Sequence, residues 1–142
     1  MNYLTKILKR FSVTLSILFI GTLIQSCQPD DGTASGDVRD EYVGAWHCIE
    51  NSSINGPSSY EVSITKGTQD DIVNVSNLYN LGVSHEVELT VFDNNITIAT
   101  QNVDGYEFSG SGSSTVDYTK FTLDYKAIGG GDTDNVQSTF TK

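Results

Sequence analysis

The chain has 142 residues, with 8 lysine and arginine against 18 aspartate and glutamate, and a formal net charge of −10 at pH 7. That length holds one domain once the N-terminus is set aside. The acidic balance, with no basic stripe to offset it, excludes nucleic acid as a partner and repels anionic lipid headgroups.

At the N-terminus, Lys6, Lys9 and Arg10 precede an apolar run over 11–24. This is the charged n-region and short h-region of a secretory signal peptide. Only residues 11–26 are uncharged before Cys27, fewer than the roughly 20 apolar residues a membrane-spanning helix needs. A removable export signal is therefore expected over a permanent anchor.

Ile24-Gln25-Ser26-Cys27 resembles a bacterial lipobox, a branched apolar residue followed by a small one directly before cysteine. Gln25 departs from the small residue that family prefers there. The resemblance implies removal of residues 1–26 and lipid attachment at Cys27, whose thiol would carry a diacylglycerol. An ordinary signal peptide, with Cys27 a plain mature cysteine, is the alternative. Stable membrane residence takes two chains or signals, and a diacylated cysteine supplies them.

With two cysteines in all, Cys27 and Cys48, one disulfide is the most the chain could form. Lipid on Cys27 leaves Cys48 a lone thiol, expected to be a small buried hydrophobe inside a strand. Loss of residues 1–26 leaves five basic residues against all 18 acidic ones, a net charge of −13.

Residues 27–41 then read as the lipidated cysteine and a flexible acidic tether, small and polar from Gln28 to Asp40. Acidic residues directly after such a cysteine resemble the surface-export signal of Bacteroidota lipoproteins. This implies an outer-membrane lipoprotein displayed outward, with the periplasmic face as the alternative.

From Tyr42 to Lys142 the chain alternates with a period of two, the mark of half-buried strands. Strand candidates in chain order are 44–50, 60–65, 72–76, 86–91, one through Ile96 and Ile98, 106–112, 121–126 and 136–140. Asn55-Gly56-Pro57, Lys66-Gly67, Asp93-Asn94-Asn95, Asp104-Gly105 and Gly129-Gly130-Gly131-Asp132 supply turn chemistry between them. Connections this short force antiparallel neighbours. The expected fold is all-β, a small up-and-down eight-stranded barrel, with a β-sandwich as the alternative. Gly110 and Gly112, on the inward face of one strand, suit a sharply coiled barrel wall.

Gly44-Ala45-Trp46 on the first strand resembles the G-x-W signature of the lipocalin and wider calycin group. There the tryptophan packs across one end of an eight-stranded barrel. Val116-Asp117-Tyr118 is similar to the lipocalin T-D-Y loop, with Thr115 one place too far upstream and no arginine closing the last strand. A closer resemblance is to small lipocalin-like Bacteroidota lipoproteins of unassigned function. It runs through VSNLYNLG (75–82), NITIATQNVDGYEFSGSGS (95–113) and TDNVQSTFTK (133–142). It implies an architecture and an address, and no reaction.

No catalytic set is predicted. His47 and His85 are far apart and lack Cys or Asp at ligand spacing. Hydrolase, zinc-protease and phosphate-loop motifs are missing. Glu86 and Glu88, on one strand face, read as solvated, and Asp132 to Asn135 read as a hairpin turn, so neither metal nor cofactor is expected.

An eight-stranded barrel either fills with its own side chains or holds one small ligand. Trp46, Tyr60, Tyr106, Phe108, Phe121 and Tyr125 are the candidate ligand-lining residues, with Gly110 and Gly112 leaving room beside them. Leu78, Tyr79 and Leu81 form a candidate lid, barrel plug or partner patch. Two functions are carried forward, both non-enzymatic and membrane-tethered by lipid. One is a barrel binding a small or partly apolar ligand; the other is a solid module docking another envelope protein. A pocket of a few hundred Å³ in the interior separates them.

Overall fold

The structure, a computed structural model, describes residues 36–142. The expected signal peptide, Cys27 and the first part of the tether lie outside the described residues. A helical turn, α1 (Arg39–Tyr42), leads into eight strands: β1 (Gly44–Ser52), β2 (Gly56–Lys66), β3 (Ile72–Ser76), β4 (Glu86–Phe92), β5 (Asn95–Val103), β6 (Tyr106–Ser114), β7 (Lys120–Gly129) and β8 (Asp132–Thr141). Each pairs antiparallel with the next, and β8 returns to β1 over His47↔Thr141 to Ser52↔Val136. The fold is the closed up-and-down barrel, and closure decides against the sandwich. Every strand has a partner on each side, although β2 pairs with β3 only over Ser63–Lys66 and β4 with β5 only over Thr90–Phe92.

The alternation in sequence is the alternation in space. Along β1 and β7 inward residues are buried and their neighbours exposed almost without exception. Val62, Ile64, Val73, Val75, Val87, Leu89, Val91, Ile96 and Ile98 pack the β2–β5 wall, all at 2% exposure or less. Asp104-Gly105 and Gly130-Gly131 turn their hairpins with positive φ at both residues, the mirror-image turn geometry that matches strand twist.

Three expectations need correction. The expected flexible tether runs to residue 41, yet its described residues from Asp37 onward are fixed. Arg39 hydrogen-bonds the Gly67 and Gln69 carbonyls and pairs with Asp37, while Lys66 pairs with Asp37 and Asp40. Asp132 to Asn135, expected as turn, open β8, because Gly130-Gly131 alone supply the turn's two positive φ values. Gly110 and Gly112 do face inward, but they leave no room. The β7 backbone fills the space: a Cβ at Gly110 would stand 2.5 Å from the Asp124 carbonyl oxygen, and one at Gly112 would strike that of Thr122.

Because the strands run up and down, the turns sort into two ends. α1, the turns after β2, β4 and β6, and Lys142 lie at the near end, where the described chain begins. The turns after β1, β3, β5 and β7 lie at the far end.

Candidate functional site

The near end is stoppered by aromatic packing. Tyr42, from α1, is 1% exposed and lies edge-on to Tyr118 and Phe121, with ring centroids 5.5 and 6.1 Å away. Its hydroxyl donates to the Asp93 carbonyl and shares a hydrogen bond with the Ser114 hydroxyl, and its carbonyl accepts the Trp46 indole N–H at 2.7 Å. Trp46 meets Phe121 edge-on at 4.8 Å, and Phe121 stacks on Phe140 at 4.2 Å. Lys142 Nζ sits 4.8 Å above the Trp46 ring, a cation–π contact across the barrel mouth.

Midway along the barrel, β1 turns a carboxylate inward. Glu50 is 4% exposed, and its Oε2 accepts from Tyr60 at 2.5 Å, Tyr125 at 2.6 Å and Ser138 at 3.4 Å. Burial, then neighbouring groups that include this carboxyl, hold both tyrosine hydroxyls well above the ordinary phenol range. They remain protonated donors. Cys48, fully buried and free, has its thiol pushed up to about 12 by burial. It is the inert structural cysteine expected.

The far end holds a second buried carboxylate. Asp134, on β8, accepts at Oδ2 from Ser52 at 2.5 Å and Tyr79 at 2.8 Å, and at Oδ1 from Ser53 at 2.9 Å and the Ile54 N–H at 3.2 Å. Burial alone pushes its pKa up, but these hydrogen bonds outweigh it and hold the carboxyl below its ordinary value.

The segment expected to be a lid, barrel plug or partner patch supplies the stopper over it. Leu78 is fully buried, Tyr79 and Leu81 pack half-buried against the core, and Tyr79 lies 5.4 Å from Tyr106, 6.0 Å from Phe108 and 6.4 Å from Tyr125. Asn77, Tyr79 and Asn80 all take positive φ, a costly conformation for side-chain-bearing residues. Asn77 secures the loop: its amide donates to the Glu61 carbonyl and accepts from the Gly82 N–H, each at 2.7 Å. Of the three roles open to this segment, its geometry is that of a plug.

The six candidate lining residues therefore do not surround one space. Trp46 and Phe121 belong to the near-end stack, Tyr60 and Tyr125 to the Glu50 layer, and Tyr106 and Phe108 to the ring cluster under Tyr79. The Trp46 indole and the Tyr60 and Tyr125 hydroxyls are each committed to a partner within the protein. A depression of about 250 Å³ lies at the near end between β6 and β7, along Ser113 to Thr115 and Lys120 to Thr122, and larger ones lie on the outer wall. Depressions of about 360 and 400 Å³ open over β6–β8 and over β7, β8 and β1, and Asp124 and Gln137 line both.

His47 points away from Trp46, as expected, and bonds Glu61 and Ser59 across the strand. No group of three or more His, Cys, Asp and Glu suited to a metal occurs among the described residues. Glu50 and Asp134 were missed as interior groups. Glu50 is in phase with Trp46 and Cys48, and Asp134 with Val136, Ser138 and Phe140, so the signal was present.

Fold and interior together define a small closed antiparallel β-barrel, plugged at both ends, with two buried carboxyl groups that each accept hydrogen bonds from hydroxyl groups. No family model matches the chain, and no curated protein matches it. Among solved structures it is similar to a redesigned β-barrel, with a TM-score of 0.53 and 11% identity over 73% of this chain and 93% of that one. At that identity the likeness shows the fold alone.

Proposed function

We propose that this chain is a lipid-anchored envelope protein, lipocalin-like in build and of the Bacteroidota type, whose solid barrel docks another envelope protein. The observation that carries this reading is the filled interior. Tyr42, Trp46, Phe108, Phe121 and Phe140 are each 1% exposed or less, both carboxylates are hydrogen-bonded internally, and the concave space is outside. The lipid anchor is supported by Ile24-Gln25-Ser26-Cys27 and the polar segment behind it. The docking face is the outer wall around Asp124 and Gln137, whose cross-strand row Asn51, Gln137 and Asp124 offers amide and carboxylate groups.

A photo-crosslinking residue in place of Gln137, in the native host, should give one discrete protein adduct. The same residue in place of Glu88, on the opposite wall, should give none. Equal labelling from both walls, or from neither, argues against a docking face there. Native mass spectrometry of the extracted protein should show no small-molecule mass that denaturation removes; a reproducible one would return the ligand-binding reading. Cys27→Ala should release the protein from membranes, and retention would sink the anchor.

A further inference from the structure

We infer that the near end of the barrel is a membrane-contacting surface, with Phe92 and Val116 resting in the headgroup layer of a zwitterionic phospholipid bilayer. The inference rests on the lipid-anchored reading and adds an orientation to it.

Phe92 closes β4 and is 71% exposed; Val116, in the turn after β6, is 88% exposed. Both belong to near-end turns, and those turns are strapped together. The Ser114 N–H donates to the Asn94 carbonyl at 2.8 Å, and the Asn94 amide donates to Ser114 Oγ and the Thr115 carbonyl, each at 2.9 Å. Tyr42 joins the same knot through the Asp93 carbonyl and Ser114 Oγ. The two apolar tips are thus held in fixed relation to each other and to α1.

Exposed apolar residues also occur at the far end, Ile54 at 57% and Val83 at 81%, so exposure alone does not choose an end. Two further features do. The described chain begins at the near end, and the nine steps from Cys27 to Gly36 reach at most about 30 Å when fully extended. A lipid on Cys27 therefore keeps this end within a short distance of the bilayer. Second, four of the five Lys and Arg among the described residues, Arg39, Lys66, Lys120 and Lys142, lie at this end, and only Lys126 lies elsewhere.

The charge pattern sets the lipid class and the depth. These four basic residues face seven acidic residues at the same end, Asp37, Asp40, Glu41, Asp70, Asp71, Asp93 and Asp117. Arg39 and Lys66 are paired with Asp37, Asp40 and Asp70, so the cations reduce the local negative charge without making the end basic. Asp93 stays exposed, and Asp117 is held ionised by Thr115 and Thr119 within its own loop. An anionic surface would be repelled and the hydrocarbon core is closed to these carboxylates, which leaves a zwitterionic headgroup layer. Two apolar side chains bind such a layer weakly by themselves. A short tether makes the contact intramolecular, at an effective concentration on the order of millimolar, so weak contact suffices to set orientation.

The test is hydrogen exchange on the full protein purified from its membrane and placed in phosphatidylethanolamine–phosphatidylcholine vesicles, against the free Cys27→Ala protein. Intact mass reports the lipid on Cys27. Several-fold slower exchange is expected in peptides covering 91–95 and 115–119, with no change around 104–105 and 130–131. The Phe92→Ser/Val116→Ser double variant, altered only at exposed positions, should lose that slowing while keeping its unfolding midpoint. Slowing at both ends, or slowing that survives the double variant, overturns the orientation. Slowing in native membranes but not in pure lipid assigns the tips to a protein instead. An unlipidated Cys27 overturns this inference and the anchor together; a lipidated Cys27 with unchanged tips overturns this inference alone.

Discussion

The Tyr79 hydroxyl, on a loop between β3 and β4, donates to Asp134 Oδ2 on β8 at 2.8 Å, across the far mouth of the barrel. The same hydroxyl accepts from the Asn55 amide at 3.0 Å, so one phenol ties three far-end segments together. Tyr79 holds positive φ to do so. Such conformations persist where surrounding contacts over-determine them.

Tyr79→Phe keeps the ring and removes both hydrogen bonds. A bond to a charged acceptor contributes about 1.5–3 kcal/mol, and half-burial places this one toward the lower value. Urea unfolding should show that loss with an unchanged slope. An unshifted midpoint would mean that the ring alone makes the plug.

Asp134 gives the fold a pH dependence of known sign. Its folded pKa lies below the ordinary carboxyl value of about 3.9, so the folded state favours the ionised form. That stabilisation is complete above the unfolded pKa and disappears as pH falls through the folded one. Between neutral pH and pH 3, the stability advantage of the natural protein over Asp134→Asn should shrink on acidification. A gap constant with pH would remove Asp134 from the acid response.

Trp46→Ala should destabilise by about 3–5 kcal/mol, since it empties the near-end stack and orphans the Tyr42 carbonyl. Chemical denaturation reads this directly. A loss below about 1 kcal/mol would show that the Tyr42 and Phe121 rings collapse into the gap.

Gly112→Ala adds one methyl group and should cost about 1–3 kcal/mol or more, because the β7 backbone at Thr122 must retreat to admit it. Ser113→Ala, one residue along on the exposed face, is the control and should leave the melting temperature unchanged. Equal effects from the two would contradict the close β6–β7 approach.

Cys48 should be silent toward thiol reagents. In the Cys27→Ser protein, a disulfide reagent at pH 8 should find no reactive thiol until denaturant is added, then one per chain. Burial accounts for both the pKa near 12 and the lack of access. Prompt labelling of the native protein would indicate that the β1 wall opens locally.

Strand number, order and inward faces were legible because a two-residue period fixes which side chain faces the core. Trp46, Val87-Glu88-Leu89 and Phe121-Thr122-Leu123 carry that pattern without interruption. The interior site was less legible. Glycine, aspartate and asparagine chemistry argues for a hairpin turn at Asp134, and Glu50 stands at the end of its predicted segment, where nothing draws attention to its face. Their partners, Tyr60, Tyr125, Ser52 and Tyr79, come from three other strands and a loop, and spacing along one strand carries no trace of them. The plug was half legible: Leu78 and Tyr79 stood out as apolar in a loop, while the left-handed turn that swings Tyr79 inward depends on Asn77 reaching Glu61. The filled space beside Gly110 and Gly112 follows from how closely β7 approaches, which sequence alone does not encode.

The pairing of β8 with β1 gives the buried carboxylates a kinetic meaning. Seven of the barrel's eight contacts join strands consecutive in the chain; the remaining seam joins its first strand to its last. A contact between such distant residues closes a long loop and forms slowly. Ser52–Asp134 crosses that seam over 82 residues, and Glu50–Ser138 crosses it over 88. Glu50–Tyr125 reaches one strand further, over 75. The carboxylates clasp the one joint whose closure spans nearly the whole barrel sequence, and in the closed barrel they hold that joint against reopening. A circular permutant joining Lys142 to the α1 segment beside it would make that joint local, and there the clasps would matter least.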